Sequence, residues 1–177
     1  MEDIHLLMMF FVFVGCLANG STLITFDDID NLTNSSYNIQ IPNGYSNLQW
    51  SNVYILQASL YPSSGYVTAL TSGQDVAFNW YGRPMNISSS ILFTINSFIA
   101  ASAWYDNNTV IMQGYQSGTL LYSQTVTLYI KTSLLVQLNW INIDNIAFTS
   151  SAQWFVMDNL CINGIASKYI LASEQHV

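Results

Sequence analysis

Two pairs of oxygen-bearing side chains stand near opposite ends of the sequence, Asp27-Asp28 and Asp158-Asn159. Many β-sandwiches pair their first and last strands, and an antiparallel pairing would bring these two pairs together. Three carboxylates and an amide oxygen suit a hard cation, so the spacing predicts a structural Ca²⁺ site at these four residues. The alternative is structural, with Asp27-Asp28 capping a turn and Asp158-Asn159 lying at a β-bulge.

Groups for the common catalytic mechanisms are scarce. The two histidines, His5 and His176, lie near the chain ends, so a Ser-His-Asp, Cys-His or histidine-zinc site has no histidine in the central part. Glycoside hydrolysis needs only two carboxylates, and the aspartates available for it include Asp27, Asp28, Asp75, Asp106, Asp144 and Asp158. The sequence favours a protein that is not an enzyme, with a carboxylate-based glycosidase or lyase as the alternative.

Aromatic residues are abundant, with five Trp, eleven Tyr and nine Phe. Sugars present C–H faces that stack on aromatic rings, while neutral polar groups and carboxylates bind the hydroxyls. Tyr81, Trp104 and Tyr105 lie in or beside predicted loops, with Asn79 and Asp106 nearby, and these five residues form the predicted ligand-binding site. For any single ring, the competing interpretation is a core position or an isolated exposed ring.

The charge balance excludes several partners. Three Lys and Arg residues stand against ten Asp and Glu residues, for a net charge of −7. So few cations cannot neutralise a phosphate backbone or attach the chain to an anionic membrane. A neutral, hydroxyl-rich ligand such as a carbohydrate fits this composition better.

An apolar run at residues 6–14 is followed by the small-residue triplet Ala18-Asn19-Gly20. This pattern predicts a signal peptide over residues 1–20, cleaved after Gly20, and a secreted protein. Glu2 and Asp3 stand where basic residues are expected, so an uncleaved anchor or a buried first element is the alternative. Cleavage after Gly20 would remove Cys16 and leave Cys161 alone, as a small buried side chain without a disulfide. No later stretch is apolar enough to span a bilayer.

Four N-glycosylation sequons accompany the predicted leader, at Asn31, Asn34, Asn86 and Asn107. They support secretion if the source cell performs N-glycosylation.

Short β-branched and aromatic runs alternate with turn signals, which indicates an all-β domain over 21–164 and a short tail over 165–177. About ten strands predict a two-sheet antiparallel β-sandwich of jelly-roll type. The clearest hairpin joins 110–115 to 120–130, with Val126, Leu128 and Ile130 facing inward. Residues 65–70 are predicted as a strand, and 134–140 and 146–149 as two strands separated by a turn at 142–145.

Several short patterns resemble a widespread set of secreted, mostly uncharacterised β-sandwich proteins that are similar to carbohydrate-binding modules. They are Ile24-Thr-Phe-Asp-Asp28, Ile41-Pro-Asn-Gly-Tyr45 with Trp50, Gly114-Tyr115 with Gly118 and Val126, Asn139-Trp140 with Ile143-Asp144 and Phe148, and Phe155 with Met157-Asp158-Asn159-Leu160. The resemblance implies a jelly-roll fold and an extracellular location, but no particular ligand.

The sequence as a whole predicts a secreted, non-catalytic, carbohydrate-binding β-sandwich. The alternative is an extracellular structural, adhesion or effector protein that binds a protein partner through its aromatic surface. Exposed rings that converge on one cleft would favour the sugar. A flat apolar patch or a long open edge strand would favour the protein.

Overall fold

Strands account for most of the residues that the computed structural model describes, which are Cys16, 20–29, 38–151 and 153–164. The ten strands are β1 Ser21–Ile24, β2 Ile39–Gln40, β3 Gln49–Ser51, β4 Val53–Gln57, β5 Asp75–Asn79, β6 Met85–Ser102, β7 Asn108–Gln116, β8 Thr119–Leu128, β9 Leu134–Ser150 and β10 Phe155–Asn163. One short helix, α1, spans Gly65–Ala69, and single 3₁₀ turns lie at Tyr45–Asn47, Ala58–Leu60 and Trp80–Gly82.

The strands pair antiparallel in the order β2-β4-β5-β10-β6-β9-β7-β8, with β1 added to β10 and β3 to β6. Strands β4 and β7 are far apart in this order, yet Val53 and Met112 belong to one buried cluster. The sheet therefore folds over on itself into two layers, which confirms the predicted all-β antiparallel sandwich. The predicted pairing of the first and last strands is also confirmed, with Ile24 opposite Leu160.

A second, smaller core lies on the other face of β4, β5 and β10. Helix α1 covers this face, and its Tyr66 and Ala69 pack with Phe78 and Val156. The predicted strand at 65–70 is wrong, because Ser64 Oγ accepts the Tyr66 N–H (3.2 Å) and starts a helical turn that buries Tyr66 and Ala69 on one face. The helix approaches β6 so closely that a Cβ on Gly65 would overlap the Ser102 carbonyl.

Strand β9 replaces the two strands and turn that the sequence predicts between 134 and 149. Asn139 and Asn142 have positive φ values of 51° and 58°, which asparagine tolerates better than most residues. They produce irregularities within one long strand, which pairs with β6 from Leu134 to Phe148. The polar segment at 142–145 is therefore part of strand β9, and the chain does not reverse direction there.

The predicted hairpin is confirmed as β7 and β8, joined by Ser117 and Gly118 with positive φ values of 48° and 80°. Leu128 is buried and Val126 packs against the large core, as predicted. Ile130 lies beyond the end of β8 and is only half-buried, so its predicted place in the inward row is wrong.

A disulfide joins Cys16 to Cys161, with the two Cα atoms 5.6 Å apart. The expectation that Cys161 stands alone is therefore wrong, because the folded chain places Cys16 within bonding distance of Cys161 in β10. Cleavage after Gly20 would remove Cys16, so this disulfide and that cleavage site cannot occur in the same mature molecule. The predicted leader at 1–20 and tail at 165–177 fall almost entirely outside the described residues.

Within the described segments, no helix is long and apolar enough to cross a membrane.

Candidate ligand-binding site

Three strand ends meet at one end of the sandwich. Phe155 at the start of β10 pairs with Ser102 at the end of β6, and Val156 pairs with Phe78 near the end of β5. The segments just outside these strands carry Tyr81, Trp104 and Trp154. The topology therefore brings these rings to the same end of the molecule, which we call the aromatic end.

The three rings predicted for the ligand site are all exposed there: Tyr81 by 61%, Trp104 by 40% and Tyr105 by 62%. A folded protein gains nothing in stability from exposing large apolar rings, so this group of exposed rings is the candidate binding surface of the described residues.

Tyr81 is one of four rings linked by successive contacts, which we call the aromatic patch. Tyr54 stacks on Trp80 with ring centroids 5.1 Å apart, and Trp80 lies 5.4 Å from Trp154. Tyr81 meets Trp80 and Trp154 edge-on at 4.7 and 6.1 Å. Because Trp80, Trp154 and Tyr54 also pack against the second core, they hold the patch rigidly while leaving part of each ring exposed.

Ring contacts continue from this patch to Trp104. Phe78 stacks on Trp154 at 5.7 Å and meets the buried Tyr66 at 5.5 Å, and Tyr66 in turn meets Trp104 at 5.5 Å. Tyr61 contacts Trp104 edge-on at 5.4 Å. Burial raises the pKa of Tyr66 far above its ordinary value, so this central ring stays neutral. We call this series of contacting rings the aromatic row. It is exposed at Tyr81 and at Trp104, and it is buried between them at Phe78 and Tyr66.

The turn that presents Tyr81 is fixed by its neighbours. Tyr81 has a φ of 56°, a left-handed conformation that costs energy for a bulky residue. Asn52 holds this turn by donating its side-chain amide to the carbonyls of Trp80 (3.3 Å), Arg83 (3.2 Å) and Pro84 (3.1 Å). The Arg83 guanidinium lies 5.6 Å from the Tyr81 ring centre.

Asn79 does not belong to the surface of this site, which corrects the sequence prediction. It is fully buried. Its amide nitrogen donates to the Arg83 and Gln153 carbonyls and to Ser150 Oγ, and its oxygen accepts the Phe155 N–H at 2.7 Å. These bonds join β5 to β10 and leave nothing for a ligand, because a buried amide has to satisfy its own polar atoms first.

Asp106 is exposed at the aromatic end, and one of its oxygens accepts the Ile130 N–H at 2.8 Å. The other carboxylate oxygen is oriented by this anchor. Lys131 reaches the same region, where it donates to the Ser63 carbonyl at 3.0 Å.

The four residues predicted to bind Ca²⁺ are bound to the protein itself. Asp27 accepts the N–H groups of Gln74 (2.7 Å) and Asp75 (3.0 Å), and Asp28 accepts the Tyr45 hydroxyl at 2.6 Å. Asp158 accepts the N–H groups of Thr71, Ser72 and Asn159 and the hydroxyls of Thr71 and Ser72, and Asn159 bonds the same two hydroxyls.

Oxygens of Asp27 and Asp158 are therefore engaged by backbone N–H groups, and an oxygen of Asp28 is engaged by a tyrosine hydroxyl. The described residues contain no cluster of three His, Cys, Asp or Glu side chains able to hold a metal ion. The contacts match the structural alternative for these residues, and Ca²⁺ binding stays a prediction.

Two carboxyl groups near this loop have altered acidity. Burial raises the pKa of Asp158 to about 6, although its hydrogen bonds act in the opposite direction. Burial and the nearby Asp27 carboxylate raise the pKa of Asp75 to about 6. Neither group lies at the aromatic end.

A separate depression of about 360 Å³ lies on the face formed by β6, β7 and β9. Its lining residues are Asn86, Tyr115, Gly118, Asp144, Asn145 and Ala147. It offers neutral amides but only one aromatic ring, and it is roughly 20 Å along β7 from the aromatic end.

Two of the four sequons lie in described parts of the chain. Asn86 is half-buried in β6, between Ser51 and Ala147, and Asn107 is exposed in the turn between β6 and β7. Asn31 and Asn34 fall outside the described residues.

The five predicted site residues do not include Trp80, Trp154 or Tyr54, which the structure places beside Tyr81. One local signal was present: Phe78 and Trp80 are two residues apart and therefore project from the same face at the end of a strand. The partners Trp154 and Tyr54 come from distant parts of the chain, and their arrival depends on the pairing of β5 with β4 and β10.

No protein-family model matches the sequence, and no curated protein matches it significantly. Similar solved structures include carbohydrate-binding modules. TmCBM61 in complex with β-1,4-galactotriose is 12% identical with a TM-score of 0.35, covering 72% of this chain and 98% of that one. A CBM4 structure is 18% identical with a TM-score of 0.40, covering 72% and 94%.

A third similar structure is the module CBM6cm-2 from Cellvibrio mixtus lichenase 5A in complex with cellotriose. It is 15% identical with a TM-score of 0.35, covering 73% of this chain and 97% of that one. At these identities and scores, the likeness assigns no ligand to this chain.

Proposed function

We propose that this protein is an extracellular, non-catalytic β-sandwich that binds carbohydrate at its aromatic end, with Tyr81 and Trp104 as the principal contact residues. The observation that carries the proposal is the convergence of exposed rings at three neighbouring strand ends. The two exposed parts of the aromatic row suit a ligand with repeated apolar faces, such as the sugar rings of an oligosaccharide.

The charges at this end favour a neutral ligand. Arg83 is engaged over Tyr81, and Lys131 bonds a backbone carbonyl, so neither cation is placed with the other to hold a phosphate or sulfate. Asp106 supplies an anchored carboxylate, which accepts hydrogen bonds from sugar hydroxyls well. Rings for the apolar face and an acceptor for the hydroxyls are the two components that sugar recognition requires.

Binding without catalysis fits the position of the acidic groups. Glycoside hydrolysis needs two carboxyl groups facing each other across the scissile bond, about 5–10 Å apart. At the aromatic end, the carboxyl group found among the described residues is that of Asp106. The two carboxyl groups with raised pKa values lie elsewhere: Asp158 accepts hydrogen bonds from the loop at 71–75, and Asp75 is part of that loop.

The test is a glycan and polysaccharide binding screen, followed by titration of the best ligand against single variants. We expect Tyr81→Ala and Trp104→Ala each to raise the Kd by about tenfold or more, equal to roughly 1.4 kcal/mol. Tyr81→Ala should keep the wild-type melting temperature within about 2 °C, because its ring is 61% exposed. Trp104→Ala also removes ring contacts with Tyr61 and Tyr66, so it should lower the melting temperature, and its Kd is measured at a temperature where the variant is fully folded.

The matched control is Tyr115→Ala, which removes a tyrosine from the separate depression. It should leave the Kd unchanged. If Tyr115→Ala weakens binding while Tyr81→Ala and Trp104→Ala do not, sugar binds at the depression and the proposed site is wrong. A screen without any bound glycan would contradict the function itself.

A second candidate function, binding of a protein partner, is favoured by the edge strand β8. This strand is ten residues long, stands last in the strand order of the described residues, and exposes Leu120 by 48% and Leu121 by 42%. A long apolar edge can accept another strand by backbone pairing. A failed glycan screen would shift the assignment to this surface.

A further inference from the structure

The turn between β6 and β7 holds an N-glycosylation sequon in an unusual local setting. Asn107, the acceptor, lies in a turn with a φ of 62° and is exposed. Tyr105, two residues earlier, is the most exposed of the large aromatic side chains in the described part of the chain, at 62%. Thr109, two residues later, completes the sequon.

Both sides of this turn are anchored. Asp106 accepts the Ile130 N–H at 2.8 Å, and the buried Asn108 donates to the Trp154 carbonyl at 3.2 Å and accepts the Ser151 hydroxyl at 3.3 Å. Asn107 itself projects from the turn between these two fixed neighbours. The turn brings the backbone of Tyr105 within about 7 Å of that of Asn108, so Tyr105 and Asn107 lie close together on one exposed turn.

We propose that Asn107 carries an N-linked glycan whose first sugar packs on the ring of Tyr105. In the attachment step, Asn107 Nδ2 loses a proton and bonds to C1 of an N-acetylglucosamine. The C1–oxygen bond to a lipid-linked pyrophosphate donor breaks, and the lipid pyrophosphate leaves. The attached sugar then covers an exposed aromatic face with its C–H groups, which removes apolar surface of both from water.

A second observation points to the compartment in which this modification occurs. The disulfide between Cys16 and Cys161 belongs to proteins that fold in an oxidising environment. In eukaryotic cells, that environment is also where N-glycans are attached.

This inference separates Tyr105 from the sugar site proposed above. When the chain's own glycan covers the Tyr105 ring, this ring is no longer available to an external ligand. Tyr81 and Trp104 are then the exposed rings that bind such a ligand. The two proposals are tested separately, because mass spectrometry reports the glycan at Asn107 and ligand titration reports the binding site.

The chain provides its own matched control in Asn86. Its sequon lies in β6, half-buried, and the residue two positions earlier is Pro84, which offers no aromatic face. A glycan on Asn86 therefore gains no comparable contact.

The experiment uses full-length protein exported from mammalian cells that make only high-mannose glycans, trimmed enzymatically to one N-acetylglucosamine per site. Glycopeptide mass spectrometry reports occupancy at Asn107. Melting temperatures are then compared for the wild type, Asn107→Gln, Tyr105→Ala and the double variant. Thr109→Ala, alone and with Tyr105→Ala, provides a second route that removes the sequon and leaves Asn107 in place.

We expect Asn107 to be occupied and loss of its glycan to lower the melting temperature by about 2–4 °C when Tyr105 is present. In the Tyr105→Ala background the same loss should change it by less than about 1 °C. Asn86→Gln should give the same shift in both backgrounds. An unoccupied Asn107, or equal shifts with and without the Tyr105 ring, would overturn the proposal.

Discussion

At the scale of single residues, buried Asp and Asn side chains act mainly on the backbone. Asp158 shows this most clearly: it is fully buried and binds the N–H groups of Thr71 and Ser72 at 2.7 and 2.9 Å. These bonds attach the loop that leads from α1 into β5. The loop is therefore held by a carboxyl group whose protonation depends on pH.

The raised pKa of Asp158 predicts that stability falls as the pH rises. The group ordinarily has a pKa near 3.8, and burial raises it to about 6 in the folded protein. Between these values the folded state binds more protons than the unfolded state, so the free energy of unfolding decreases from about pH 4 to about pH 6. Each unit of difference corresponds to about 1.4 kcal/mol. Denaturant unfolding at pH 4.5 and pH 7 measures this change.

Asp158→Asn should reduce this dependence, leaving the part that comes from Asp75, whose pKa is also raised to about 6. Asp106→Asn, on the exposed turn, is the matched control and should keep the wild-type slope. A variant Asp158→Asn with an unchanged slope would assign the dependence to other groups.

The sequence showed which residues could carry charge or rings, but not what each one faces. Pairing of the first and last strands was predictable, and it does place Asp27 and Asp158 near one loop. The donors that bind them are the N–H groups of 71–75, which no sequence pattern singles out. Asn79 was misplaced for the same reason: its partners at 83, 150, 153 and 155 come together only in the folded chain.

At the scale of elements, the regular hairpin was predictable and the long strands were not. Strands β7 and β8 have alternating apolar residues and a glycine at their turn, so both pattern and turn chemistry agree. Strands β6 and β9 are 18 and 17 residues long and contain irregular pairs that a strict alternation cannot describe. The polar residues that interrupt the apolar pattern of these strands predict turns, because bulges and turns use the same residue types.

The register of β8 yields a test of the sandwich itself. Leu128 is 1% exposed, whereas its neighbour Thr127 points to the opposite, solvent-facing side. Leu128→Asp buries an unpaired charge and should lower the free energy of unfolding by about 3–5 kcal/mol. Thr127→Asp should change it by less than about 0.5 kcal/mol. Equal losses in urea unfolding experiments would show that this register is wrong.

At the scale of the whole molecule, the described residues near the N-terminus, Cys16 and Ser21–Ile24, are attached to β10. Strand β1 pairs with β10 along Ser21–Ile24, and the disulfide extends this attachment back to Cys16. The cysteines are 145 residues apart in sequence, so the bond closes almost the entire chain into one loop. Such a link restricts the unfolded chain strongly and stabilises the folded protein by about 2–5 kcal/mol.

This disulfide makes a prediction about processing that differs from the sequence expectation. We expect the exported protein to begin at or before Cys16, and intact mass spectrometry to show two fewer hydrogens than in the reduced form. Cys16→Ser and Cys161→Ser should both lower the melting temperature, because each breaks the same bond. If cleavage follows Gly20 instead, the mature chain starts at Ser21 and Cys16→Ser has no effect on the exported protein. The pair of serine variants therefore distinguishes the two N-termini through stability alone, independently of the mass measurement.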